Sequence, residues 1–130
     1  MLATLRIPAL LLGIGVGALA ATLVALIVEV SVQLSTDLEA GTGLVPGIVV
    51  GFAVGGYVAG RSAIIAHRFH GAVTGLALSA LVVFIAMMGG SPAGFGPVLF
   101  LALLGIVIAG STGMWAGRRK QRESRTSHSG

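Results

Sequence analysis

Cysteine is missing from this chain and charge is scarce: of 130 residues, 9% are Asp, Glu, Lys or Arg, and only 5% are aromatic. Without thiols there is no disulfide, no thiolate metal site, no iron–sulfur ligation and no cysteine nucleophile. With so few polar side chains the chain cannot coat a water-soluble core, and a composition that is 55% hydrophobic, with mean hydropathy +1.02, asks for lipid as its solvent. Paired carboxylates and a nucleophile with its base are also absent, so the sequence supports no enzymatic reading and implies neither cofactor nor metal.

What is present is a set of long apolar blocks. A bilayer core about 30 Å thick takes about 20 apolar residues in helix. Four blocks qualify: 7–28, 44–60, 71–88 and 97–117. The uncharged stretch from Gly71 to Gly117 is too long for one crossing, and Gly89, Gly90, Ser91 and Pro92 with Gly94 and Gly96 divide it into a hairpin. Pro8, Pro46 and Pro97 sit near the starts of their blocks, where a missing backbone N–H removes no helical bond. The N-terminal block also has features of a cleavable signal, with Arg6 ahead of it and the small-residue pattern Ala18-Leu19-Ala20 within it. Cleavage after Ala20 would leave three spans. The apolar run continues through Val28, longer than a signal core, so the span is expected to be retained.

All eight Lys and Arg residues fall on one side of this arrangement: Arg6, Arg61, Arg68, then Arg118, Arg119, Lys120, Arg122 and Arg125. The opposite connections carry Asp37 and Glu39 in one case and no charge in the other. The positive-inside rule then places both termini in the cytoplasm of a multi-pass plasma-membrane protein. Residues 118–130 have the composition of a disordered basic tail, and cationic clusters beside a span attract anionic lipid at about 1 kcal/mol per residue. Ser124, Thr126 and Ser127 are positions where phosphorylation would loosen that contact. Nucleic acid is not an expected partner, since no folded platform or interleaved aromatics accompany the basic run.

The chain repeats itself. GYVAGR at 56–61 returns as GMWAGR at 113–118, and an offset of 58 carries Gly13, Gly17, Gly47 and Gly55 onto Gly71, Gly75, Gly105 and Gly113. The hexapeptide itself needs an offset of 57. Each unit contains two crossings, so repeats of about 7–61 and 65–118 run parallel, related by an axis along the membrane normal. The expected fold is an all-α integral membrane four-helix bundle of two helical-hairpin repeats, with residues 1–117 as the transmembrane domain. Small residues recur every fourth position: Ala9, Gly13, Gly17, Ala21 and Ala25, then Gly47, Gly51, Gly55 and Ala59, then Gly71, Gly75 and Ser79, and last Gly105, Ala109, Gly113 and Gly117. Such stripes let helix backbones approach closely, which is how helices associate in lipid.

Residues 55–76, GGYVAGRSAIIAHRFHGAVTGL, resemble the signature of a group of small prokaryotic membrane proteins of unknown function. Its pattern is GG-aromatic-x-small-x-Arg/Lys-x-Ala, a short spacer, then HGxxTGL. The resemblance implies four membrane helices and carries no activity.

Four residues are candidates for a functional polar role: Glu29, Arg61, His70 and Arg118. Counted from Ile7, Glu29 lies about 33 Å along a helix, which favours a hydrated interfacial acid over an ion-coupling site. His70 and His67 share a helical face but have no third ligand, so a polar helix start touching headgroups is favoured over a metal site. Arg61 and Arg118 read as interfacial anchors, with an anion vestibule as the alternative, and Tyr57 and Trp115 as aromatic belt residues just inside them. Together these features favour a structural or partner-binding membrane subunit that packs through its glycine faces with itself or with another membrane protein. A small transporter or channel, with a path along the pseudo-twofold axis, is the alternative.

Overall fold

The computed structural model describes residues 7–35, 44–90 and 94–127, the side chains of Val32, Gln33 and Ser35 excepted. It is helical throughout, with α1 (Ile7–Ser35), α2 (Leu44–Ser62), α3 (His67–Met88) and α4 (Phe95–Ser127). All four helices are long and apolar enough to cross a membrane. Arg6, Asp37, Glu39, Ser91 and Pro92, on which part of the orientation and hairpin reading rests, lie outside the described residues.

The helices begin where proline permits, with Pro8, Pro46 and Pro97 each in a first turn. The end of α3 is set by Gly89 and Gly90. Gly89 N–H donates to Ile85 O at 3.0 Å, Gly90 N–H donates to Met87 O at 3.1 Å, and Gly90 takes φ +78, a left-handed conformation that glycine adopts without strain. The turn between α2 and α3 closes on Ala66, whose φ of 56 is the one left-handed non-glycine conformation among the described residues.

Two boundaries differ from the sequence expectation in ways that bear on function. Helix α3 starts at His67 instead of 71, which puts both histidines inside it. Helix α4 runs on through 118–127, the segment expected to be disordered. Arg, Lys, Gln and Glu are good helix formers, and a helix already nucleated in α4 extends through them without a new nucleus. Residues 128–130 lie outside the described residues.

The core is made of small residues. Ala59, Ala63, Ala109 and Ala116 are fully buried, and among the described residues the large side chains enclosed with them are Phe52, His70 and Leu78. Helix α2 is central: it packs against α1, α3 and α4, whereas α1 meets α2 and, more lightly, α3, and does not reach α4. Burial follows the same order, with 39% of the apolar window of α2 enclosed against 11% of that of α1. The outward faces carry large apolar side chains such as Leu11, Leu19, Leu23 and Ile27 on α1 and Phe84, Ile85 and Phe100 on α3 and α4. A surface of this kind, unfit for water, fits a small multi-pass membrane protein.

Candidate functional site: glycine seams, a polar end and an apolar recess

The expected glycine stripes are all used inside the chain. A methyl group added at Gly13 would stand 2.9 Å from Gly55 O, at Gly17 2.8 Å from Gly51 O, and at Gly47 2.7 Å from Ala21 O. Gly51 and Gly55 return these contacts, so α1 and α2 touch backbone to backbone. On the other hairpin, Gly71 and Gly75 press on the carbonyl oxygens of Ala109 and Gly105, and Gly105 faces Ser79 Oγ. Gly113 meets Gly71 Cα and His67 O, while Gly117 lies against the His67 ring. Glycine faces consumed in this way are not available to a second protein.

A further pair lies outside the expected stripes. Gly56 faces the backbone of Ala109 and Gly60 faces that of Gly113, which makes them the seam between α2 and α4. Their spacing of four was visible in the sequence, one position round the helix from the stripe Gly51-Gly55-Ala59 that meets α1. Helix α2 therefore carries two small-residue faces, which is why it lies at the centre.

The two hairpins do not superimpose in register. Gly13 faces Gly55 and Ala59, and the offset of 58 would set Gly71 against Gly113 and Gly117; it sits instead against Ala109 and Gly113. Helix α4 is thus shifted by one turn, about 6 Å, along α3 relative to the placing of α2 on α1.

The polar residues gather at the end where α2 stops, α3 starts and α4 continues. His67 Nδ1 lies 2.6 Å from Gly60 O. A carbonyl only accepts, so Nδ1 carries the proton and caps a free carbonyl at the end of α2. Lys120 Nζ donates to Arg61 O at 3.2 Å and to Ala63 O at 3.4 Å, fastening α4 to the α2–α3 connection. Arg61 Nη1 donates to Tyr57 Oη at 3.3 Å, and its Nη2 lies 3.6 Å from Glu123 Oε2. The Tyr57 and Trp115 rings stand 5.8 Å apart, and Arg119 stacks over Trp115 at 4.7 Å. Arg118, Arg122 and Arg125 are exposed on the other side of the α4 extension. Arg61 and Arg118 therefore do not form a matched pair around a mouth, since Arg61 is held by Tyr57 and Glu123 and Arg118 faces outward.

His70 is not at a polar surface. It is 1% exposed, with Nδ1 3.2 Å from Ala66 O and its ring edge-on to Phe69. One turn on, buried Thr74 Oγ1 donates to His70 O at 2.8 Å. His67 and His70 thus serve different carbonyls. No group of three or more His, Cys, Asp and Glu that could hold a metal ion occurs among the described residues.

At the opposite end, α1 and α3 diverge over α2 and leave an apolar recess of about 640 Å³. Its floor is Gly51, Phe52 and Ile48, its walls include Ala18, Leu26, Val82 and Ile85, and its polar lining is Thr22 and Glu29. Thr22 Oγ1 donates to Ala18 O at 2.9 Å within its own helix. Since α1 continues to Ser35, Glu29 sits inside the helix at the edge of this recess and half buried. The interfacial position expected for it therefore gains an apolar neighbourhood on one side.

Comparison with known proteins adds no relative: no family model, no curated protein and no solved structure matches the chain.

Proposed function

We propose that this is a small non-enzymatic integral membrane protein, a structural or partner-binding subunit of the plasma membrane with both termini in the cytoplasm. One observation carries the reading. The helices that would flank an axial pathway, α2 and α4, are in backbone contact through Gly56–Ala109 and Gly60–Gly113, which favours a packed body over a conduit. The large aliphatic side chains on the outside of α1 are then the surface for a neighbouring membrane protein or a second copy, in place of the glycine faces. The cationic stripe of Arg118, Arg122 and Arg125, with Arg119 beside it, faces anionic lipid headgroups or the cytoplasm next to them. Lys120 is drawn away to the α2–α3 connection. The resemblance of 55–76 to a group of small membrane proteins agrees with four spans and assigns no role.

Purification of the full chain in mild detergent is expected to yield a defined oligomer or a stoichiometric membrane partner. A solute flux into proteoliposomes that disappears in Glu29→Gln or His70→Ala would overturn the subunit reading and restore the transporter. Orientation has its own test, made simple by the lack of native cysteine: Ser127→Cys is expected to react with an impermeant maleimide only after cells are opened, and Gly89→Cys in intact cells. The reverse pattern refutes the proposed topology.

A further inference from the structure

The recess between α1, α2 and α3 has a direction. Its lining begins near Gly17 and Ala18, and ends at Glu29 on α1, Leu44 at the start of α2 and Ala86 near the end of α3. From Gly17 to Glu29 is twelve residues, a helical rise of about 18 Å. One leaflet of a bilayer core is about 15 Å deep. The recess therefore runs from mid-bilayer to one interface, apolar along its length and acidic at its outer end. Its volume of about 640 Å³ and its lining, hydrocarbon with one hydroxyl and one carboxylate, are those of small-molecule sites, which are mostly apolar with a few placed polar groups.

Charge decides between possible occupants. A second copy inserted in the same orientation brings no cation to the depth of Glu29. Its Arg61, Arg68 and the arginines and lysine of the α4 extension all lie at the far end of their helices, the end at which Gly13 meets Ala59. A lipid-like molecule of the same leaflet can bring one. We propose that this recess is a binding site for a single-chain amphiphile with an ammonium head, its hydrocarbon chain lying over Gly51 and Phe52 and its head at the Glu29 carboxylate. The proposal rests on the reading that the helices span a bilayer, and it adds to the subunit role a ligand of defined chemistry on the leaflet opposite the cationic end.

The test uses the full chain in nanodiscs with three photoreactive C14 probes of equal chain length, bearing ammonium, hydroxyl or sulfate heads, and reads labelling of recess residues by mass spectrometry. The ammonium probe is expected to label best, by roughly fivefold over the alcohol, the scale of an ion pair at a partly wet site, and the sulfate least. Glu29→Gln is expected to bring ammonium down to the level of alcohol without changing the alcohol. Val82→Trp, which fills the recess from α3 without touching a glycine seam, is expected to lower all three. Equal labelling by the three heads, or an ammonium preference that survives Glu29→Gln, overturns the site while leaving the membrane reading intact. So does protection of the recess by a second copy, seen as a disulfide between two chains carrying Ala18→Cys. Loss of membrane insertion would instead appear in the maleimide experiment above.

Discussion

The two hairpins are built from the same kind of sequence and do different jobs. In α1–α2 the seam between the two helices is glycine and alanine, with Leu78 of α3 resting on Gly17 and Gly55. In α3–α4 it also holds Ser79, whose hydroxyl donates to Gly75 O at 2.8 Å in its own helix and approaches Leu101 O across the seam at 3.2 Å, together with buried His70 and Thr74. Helix α4 gains a second full partner in α2, whereas α1 beyond α2 meets α3 only lightly and opens onto the recess. Two hairpins with similar glycine spacing thus differ, one closed and one open onto the recess. The difference comes from the second glycine face of α2, which was within reach of α4 and not of a partner for α1.

The largest effect should come from the junction that makes the difference. Gly56→Leu places a side chain against the Ala109 backbone, and Gly15→Leu, with nothing within 4 Å, serves as its control. The first is expected to destabilise by about 3 kcal/mol or more and abolish a monodisperse fold, and the second to leave the melting temperature unchanged in detergent. If both melt alike, the seam between α2 and α4 is not where the fold is held. Next, Gly75→Ala should cost more than Gly17→Ala, by about 1 kcal/mol in a denaturant titration, because Gly75 lies closer to a carbonyl oxygen across its seam. Equal losses would erase the contrast between closed and open hairpins. Lys120→Met removes two hydrogen bonds to the α2–α3 connection and is expected to cost about 1 kcal/mol, read as faster hydrogen exchange around residues 61–66 and easier proteolysis of the α4 extension. Ser79→Ala should cost only about 0.6 kcal/mol, the average for such bonds in membrane bundles, and should loosen α3–α4 without touching α1–α2. The smallest effect carries the opposite sign. Ala66→Gly relieves a left-handed alanine and, less the greater freedom of glycine in the unfolded chain, should stabilise the α2–α3 turn by about 0.5 kcal/mol in a thermal melt.

Much of this was legible from spacing. The stripes at Gly13, Gly17, Gly47, Gly51, Gly55 and at Gly71, Gly75, Gly105, Gly113 do bring helices together, because a residue every fourth position lies on one face whatever that face meets. Which helix each stripe meets is a different question. It depends on how three helices share one neighbour, and Gly56 and Gly60 sit one position beside the stripe Gly51-Gly55-Ala59, which masks their separate face in the sequence. The α4 extension departs from its sequence expectation for a related reason. Its composition matches that of free coil, yet it is continuous with a formed helix and finds Arg61 and Ala63 beside it, a circumstance that composition does not record. His70 reads from the sequence as a polar helix start touching headgroups, but α3 begins one turn earlier at His67, and His70 lies buried within it with Nδ1 3.2 Å from Ala66 O.

The unbroken course of α4 makes it a lever. Its 33 residues span about 50 Å, against a hydrocarbon thickness of about 30 Å. In a bilayer of that thickness the helix would project well beyond the hydrocarbon, and a small tilt of the embedded portion would carry its tip sideways by several ångströms. Lys120 ties that projection to the short link between α2 and α3, so a force on the α4 extension is passed to the helix ends which that link joins.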